Sequence, residues 1–280
     1  MLKRTVTAMV GLAILIPILC FSHTYAYVCL VAFLSVVSAY EILGCLGQRK
    51  NYPVSVPFYA VSLLIPLISR LFTDMYHFCA FAFGVLFTFM FYLFSLSVFT
   101  RGKYQIKDAS TVFALGVYII FAFTSLILLR DMEVIGKYVY LLPYVGAWTS
   151  DSFAYICGRL FGKHKLIPEV SPKKTVEGMI GGVAFSMLSF VVYGFAVSKI
   201  YGIDANYYVL LAVGAVVSLI SQLGDLVASI IKRQYGIKDY GNILPGHGGI
   251  MDRFDSILAV SPFLFIILSI VIRFIAFFTV

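Results

Sequence analysis

Charge is scarce in this 280-residue chain: 12% of its residues are Asp, Glu, Lys or Arg, about half the share of a soluble domain. That shortage excludes a soluble globular enzyme and a disordered chain, both of which need a polar surface in contact with water. Cysteine is sparse and unpatterned. Cys20, Cys29, Cys45, Cys79 and Cys157 are odd in number, form no CxxC pair and sit in apolar stretches. They exclude a disulfide scaffold and read as small hydrophobes buried in helices. No HExxH pair, Walker P-loop or GxSxG elbow is present, which removes the commonest zinc, nucleotide-loop and serine-nucleophile signatures. No internal repeat or low-complexity run is visible.

What is abundant is apolar surface: 61% of residues are hydrophobic and the mean hydropathy is +0.97. Nine apolar stretches recur, at about 5–22, 24–46, 54–72, 76–99, 110–130, 138–158, 178–199, 207–231 and 257–279, most of them near the ~20 residues that cross a bilayer as a helix. Lipid offers no partner for open backbone groups, so each stretch is expected to be helical. The fold class is therefore all-α: a polytopic integral membrane protein of about nine transmembrane helices. The sixth stretch is the weakest, because Asp151 lies inside it.

The net charge of +8 bears first on orientation, since Lys and Arg gather in cytoplasmic loops, and not on nucleic acid. With the N-terminus in the cytoplasm, only Arg70, Arg130, Lys137, Lys199 and Arg273 of the 21 Lys and Arg fall outside cytoplasmic segments. The first residues resemble a signal peptide, with Lys3-Arg4, an apolar run and Ala26. The next span follows almost at once and the alternation needs the first helix, so it is expected to be retained. By composition, residues 1–105 are a transmembrane scaffold, 106–178 a middle membrane region with a cytoplasmic substrate loop, and 179–280 a membrane region with the catalytic loop. Glu41 precedes Gln48-Arg49-Lys50 by two turns and reads as an acid that snorkels toward or pairs with that run.

Polar chemistry concentrates in two segments, about 159–177 and 232–256. In the second, Lys232, Arg233, Lys238 and Arg253 supply positive charge, while Gly246, Gly248 and Gly249 flank His247 in a loop suited to phosphate. Asp252 and Asp255 are spaced i,i+3, which places both carboxylates on one face of a helix. Asp225 lies seven residues before Lys232, about 10 Å inside an apolar helix. An acid there is costly and marks a functional candidate. Paired carboxylates beside cations and glycines suit Mg²⁺ with phosphate oxygens. In the first segment, Asp151 is again an acid inside an apolar helix. The run Ser171-Pro172-Lys173-Lys174-Thr175 brings hydroxyls and ammonium groups to a helix start, a setting for an anion.

These residues resemble the phosphatidate cytidylyltransferase (CDP-diacylglycerol synthase) family. The signature is carried by Ser229, Lys232-Arg233, Lys238-Asp239, Gly241, Leu244-Pro245, His247-Gly248-Gly249, Asp252-Arg253 and Asp255, with no departure from the pattern. Asp151-Ser152, Ser171-Pro172-Lys173-Lys174-Thr175, Glu177-Gly178 and Gln222-Leu223-Gly224-Asp225 extend the similarity upstream. The resemblance implies transfer of CMP from CTP to phosphatidic acid, dependence on Mg²⁺, a homodimer, and a multi-pass protein of a bacterial inner membrane with its site facing the cytoplasm. It implies that Asp225, Asp252 and Asp255 hold the metal, with Lys232 and Arg253 joining them as catalytic candidates. Substrate contacts are expected from Asp151, Ser171, Lys173, Lys174, Thr175, Arg233, Lys238, His247, Gly248 and Gly249. Whether a second, monovalent cation shares the site stays open. Two alternatives remain: a related CTP-using lipid enzyme, such as a polyprenol kinase or CDP-archaeol synthase, and a transporter with Asp151 and Asp225 lining its path. A reporter fused into the loop around Lys173 should register the cytoplasm; a signal from the outer face would reverse the topology.

Overall fold

The computed structural model describes residues 2–244, 246, 248–271 and 278–279. Helices dominate: α1 (Leu2–Cys20), α2 (Tyr25–Cys45), α3 (Tyr52–Ile68, extended by a 3₁₀ turn at Ser69–Leu71), α4 (Met75–Phe99) and α5 (Ile106–Asp131). After a single short turn, α6 (Gly136–Val139), come α7 (Leu142–Phe161), α8 (Val176–Tyr201), α9 (Tyr207–Gln234) and α10 (Met251–Val271). Two small antiparallel pairs complete the described chain: β1 (Lys165–Ile167) with β2 (Ser171–Thr175), and β3 (Asp204–Ala205) with β4 (Phe278–Thr279).

The all-α membrane class holds, and the expected count of about nine spans is matched in part among the described residues. Among the described residues, seven helices are long and apolar enough to cross a membrane: α2, α3 with its 3₁₀ turn, α4, α5, α8, α9 and α10. The two that fall short are α1, whose described apolar stretch is Met9–Cys20, and α7. The latter carries Asp151, Arg159 and several hydroxyl and glycine residues, and the stretch expected at 138–158 is broken between α6 and α7. The last helix also starts six residues earlier than hydropathy suggests, because Asp252, Arg253 and Asp255 form its polar first turns.

The chain forms two compact units. One unit holds Met1–Leu128 with Ile237–Arg253; the other holds Leu129–Gly236 with Phe254–Val280. In the first, Tyr27 Oη of α2 donates to the Leu126 carbonyl of α5 at 3.2 Å, and Phe58 of α3 stacks on Phe89 of α4 at 5.9 Å between ring centroids. Arg70, one of the five cations outside the expected cytoplasmic segments, donates to the carbonyls of Thr24 (2.7 Å), Ser22 (3.1 Å) and His23 (3.3 Å) between α1 and α2. It satisfies backbone acceptors that the helix ends leave open.

In the second unit α7, α8, α9 and α10 share an apolar core built on Leu142, Phe190, Val217, Val260 and Leu264. Hydrophobic association is weak inside lipid, so close packing must come from small residues. Gly182 of α8 lies against both α7 and α9. A Cβ there would lie 3.0 Å from the Ser150 carbonyl oxygen and 3.0 Å from Gln222 Nε2.

None of the five cysteines is in a disulfide. Their expected burial is corrected for three: Cys20, Cys29 and Cys79 are exposed, on apolar helices where a thiol can face lipid chains as another methyl-sized group. Gly182→Leu should lower the thermal unfolding midpoint in detergent, by an overpacking cost of about 1–3 kcal/mol; an unchanged midpoint would mean that the three helices do not meet there.

Candidate functional site

The second unit gathers charge around the C-terminal halves of α7 and α9. β1 and β2 form a hairpin between α7 and α8, and β2 carries the Ser171–Thr175 run. Thr175, expected to bind substrate, is buried, and its Oγ1 accepts from the Gly178 amide at 3.1 Å as the N-cap of α8. Such capping draws on short hydroxyl side chains. Glu177 fastens the hairpin from the other side. Its carboxylate accepts from the amides of Lys163 (3.1 Å) and His164 (3.2 Å) and meets His164 Nδ1 at 2.6 Å. Ser171 is half-buried and Lys173 is exposed.

Lys174 turns inward. Its Nζ lies 2.7 Å from Asp225 Oδ2 and donates to the Gln222 carbonyl oxygen at 3.2 Å, so one ammonium ties β2 to α9. Both side chains are about a quarter to a third exposed (22% and 33%), so the pair is shielded from water without being sealed off. Below it runs a buried polar seam. Ser150 and Ser218 share a hydroxyl hydrogen bond of 2.7 Å, and Gln222 Nε2 donates to Ser218 Oγ at 3.1 Å and to the Met179 carbonyl at 3.3 Å. Gln222 thus holds α7, α8 and α9 together one turn before Asp225.

Asp225 is not alone. Asp151 of α7 and Asp255 of α10 both interact electrostatically with it and with each other, and Lys232 acts on Asp255 from the last turn of α9. Asp255 is buried whereas Asp151 is exposed. The hydroxyls of Ser221 and Ser256 approach Asp151, yet both are buried and close no hydrogen bond of ordinary geometry. Arg233 is exposed at the end of α9.

In the first unit Tyr240, Leu244, Gly248 and Gly249 fold back onto the start of α10. Leu244 and Gly248 form an isolated bridge, with the Leu244 amide donating to the Gly248 carbonyl at 3.0 Å. Asp252 faces back into this loop: its Oδ2 accepts from the amides of Tyr240 (2.8 Å) and Gly249 (3.0 Å). Lys238 and Arg253 are exposed, Gly248 is half-buried and Gly249 buried. His247 lies outside the described residues.

Glu41 is the residue that sequence reasoning undervalued. It is fully buried, and its hydrogen bonds go to backbone amides while Arg49 acts on it only electrostatically. Arg49 instead lies over the Tyr40 ring at 3.8 Å and donates to the Tyr40 carbonyl. The Glu41 carboxylate accepts from the amides of Ile250 (3.0 Å) and Met251 (2.8 Å), about 210 residues away in sequence. Its signal was the same one that marked Asp151 and Asp225, an acid inside an apolar helix; the nearby Arg49-Lys50 drew the reading to a local partner.

Among the described residues no three His, Cys, Asp or Glu side chains form a ready metal cage. Mg²⁺ does not require one: it takes one or two carboxylates and completes its shell with water and substrate oxygens. Asp225 and Asp255, hard oxygen donors that act on each other electrostatically, fit that requirement. Asp252 already spends one oxygen on its own loop.

A sequence model of the group described as the cytidylyltransferase family matches residues 2–271. The chain is 37% identical over 265 residues to a Staphylococcus haemolyticus protein named phosphatidate cytidylyltransferase, covering 95% of this chain and 98% of the relative. A Bacillus subtilis protein of the same name is 38% identical over 177 residues, covering 63% of this chain and 64% of that one. A third, from Staphylococcus aureus strain COL, is 34% identical over 269 residues, covering 95% and 98%.

The ion pair makes a thermodynamic prediction. In a double-mutant cycle of Lys174→Met and Asp225→Asn, read by unfolding in mixed SDS micelles, the two sites should couple by about 1–3 kcal/mol. Additive effects would mean that the contact contributes nothing.

Proposed function

Given that the chain belongs to the cytidylyltransferase family and is a nucleotidyl-transferring enzyme, we propose that it moves CMP from CTP onto phosphatidic acid, yielding CDP-diacylglycerol and pyrophosphate at the cytoplasmic membrane face. The observation that carries this reading is the match along nearly the whole length of relatives bearing the name phosphatidate cytidylyltransferase. Physical chemistry supports it. One substrate has two acyl tails and the other is a soluble polyanion, so they can meet only at a membrane surface.

A phosphate oxygen of phosphatidate, already ionised, forms the new bond to the α-phosphorus of CTP while the bond to the bridging oxygen of the β-phosphate breaks. The electron pair leaves on pyrophosphate. No strong general base is required. The obstacle is repulsion between two anions, and positioning with charge neutralisation is the means of overcoming it. Lys173, Arg233, Lys238 and Arg253, exposed on their segments, are suited to meeting phosphates, as is Lys232 at the end of α9. Lys174 orients Asp225 through their ion pair. Asp225 and Asp255, with Asp252 as the third acid of the signature, are the residues that would hold Mg²⁺, which when bound neutralises phosphate charge and eases departure of pyrophosphate. Ser171, Gly248 and Gly249 offer a hydroxyl and close backbone approach to the same anions, and His247 a ring donor. The protein acting as a homodimer belongs to the same proposal.

Purified protein in detergent, given labelled CTP and phosphatidate, should form CDP-diacylglycerol and stop when EDTA is added. Asp225→Asn and Asp252→Asn should each reduce turnover by about 10²–10³-fold with the fold retained. Transfer of only the terminal phosphate would show a lipid kinase, and ion flux without CTP a transporter. Full turnover in both variants would remove these acids from the chemistry.

A further inference from the structure

Glu41 sits in α2, far in sequence from every motif of the nucleotidyl-transfer reading, yet it is spent entirely on the segment that carries the signature. A carboxylate with no exposure is costly unless donors meet it. Here the donors are the two amides at the very start of α10, Ile250 and Met251, where a helix N-terminus leaves its N–H groups open and favours negative charge. The loop closes down on the carboxylate. A Cβ at Gly249 or at Gly241 would collide with Glu41 side-chain atoms, so glycine at both positions is what lets the backbone reach it. From the opposite side Asp252 holds the amides of Tyr240 and Gly249. Tyr240, Gly249, Ile250 and Met251 are therefore gripped by two acids, one from α2 and one from α10 itself. The turns that follow present Asp252, Arg253 and Asp255.

We propose that Glu41 is a positioning residue for nucleotidyl transfer: its buried carboxylate fixes the start of α10 and the backbone at Gly241 and Gly249, and so sets where Asp252 and Arg253 stand. The catalytic consequence rests on the function proposed above; the mechanical one does not. Glutamine in its place keeps the length but turns one acceptor into a donor that faces an amide N–H. Aspartate keeps the charge but is one methylene too short to meet both amides. Neither change touches substrate.

Three variants test this, Glu41→Gln, Glu41→Asp and Glu41→Ala, with Tyr27→Phe as a control that removes another buried hydrogen bond from the same helix. Hydrogen exchange should speed up in peptides covering 240–252 for all three Glu41 variants and stay unchanged there for Tyr27→Phe. Per folded molecule, Glu41→Gln should lower kcat by about 100-fold and kcat/KM by the same factor, as expected of a group that acts only when the reacting atoms are aligned. Tyr27→Phe should retain kcat. Unchanged exchange at 240–252 in Glu41→Gln would overturn the proposal, as would a kcat equal to that of Tyr27→Phe. If the unaltered protein makes no CDP-diacylglycerol, the functional reading fails on its own, and the exchange data still decide whether Glu41 holds the loop.

Discussion

An acid placed within an apolar helix must be met by protein, because lipid offers it nothing. That requirement organises both units. In one, Glu41 is met by two backbone amides and draws the segment Ile237–Arg253 to the N-terminal helices. In the other, Asp225 is met by Lys174, which brings the hairpin of β1 and β2 onto α9. Much of what the polar segments do structurally follows from these two obligations, and each leaves cations and carboxylates set out along segments that a polyanion can reach.

Residues expected to act on substrate divide under this constraint. Thr175 caps a helix, Asp252 fastens its own loop and Lys174 is held by an acid. Lys173, Arg233, Lys238 and Arg253 stay on the surface. A phosphate-handling enzyme needs both kinds: groups that build a rigid cradle, and cations that reach out to the charge. The polar seam of Ser150, Ser218 and Gln222 belongs to the first kind, locking three helices where close packing alone gives little.

Much of this was legible in the sequence. Long apolar stretches gave the membrane class and the approximate places of α2, α3, α4, α5, α8 and α9, since hydropathy averages over many residues and tolerates single exceptions. It failed where polar residues were part of the helix. α7 carries Asp151 and Arg159 and reads as a weak span, and α10 begins with Asp252 and Arg253, which fall outside its apolar stretch. Asp225 was marked by its own cost. Glu41 carried the same mark but had cations nearby in sequence, and no local pattern reveals that its partners lie about 210 residues away. The seam of Ser150, Ser218 and Gln222 was invisible because serines in apolar helices are common and only three-dimensional packing pairs them.

Lys173 and Lys174 are adjacent and chemically identical, yet the extended backbone of β2 sends neighbouring side chains to opposite sides. One ammonium is anchored to an acid while its neighbour faces outward. A doubled basic letter in this run is thus not redundancy but a division of labour, and shifting the strand by a single residue would exchange the two roles.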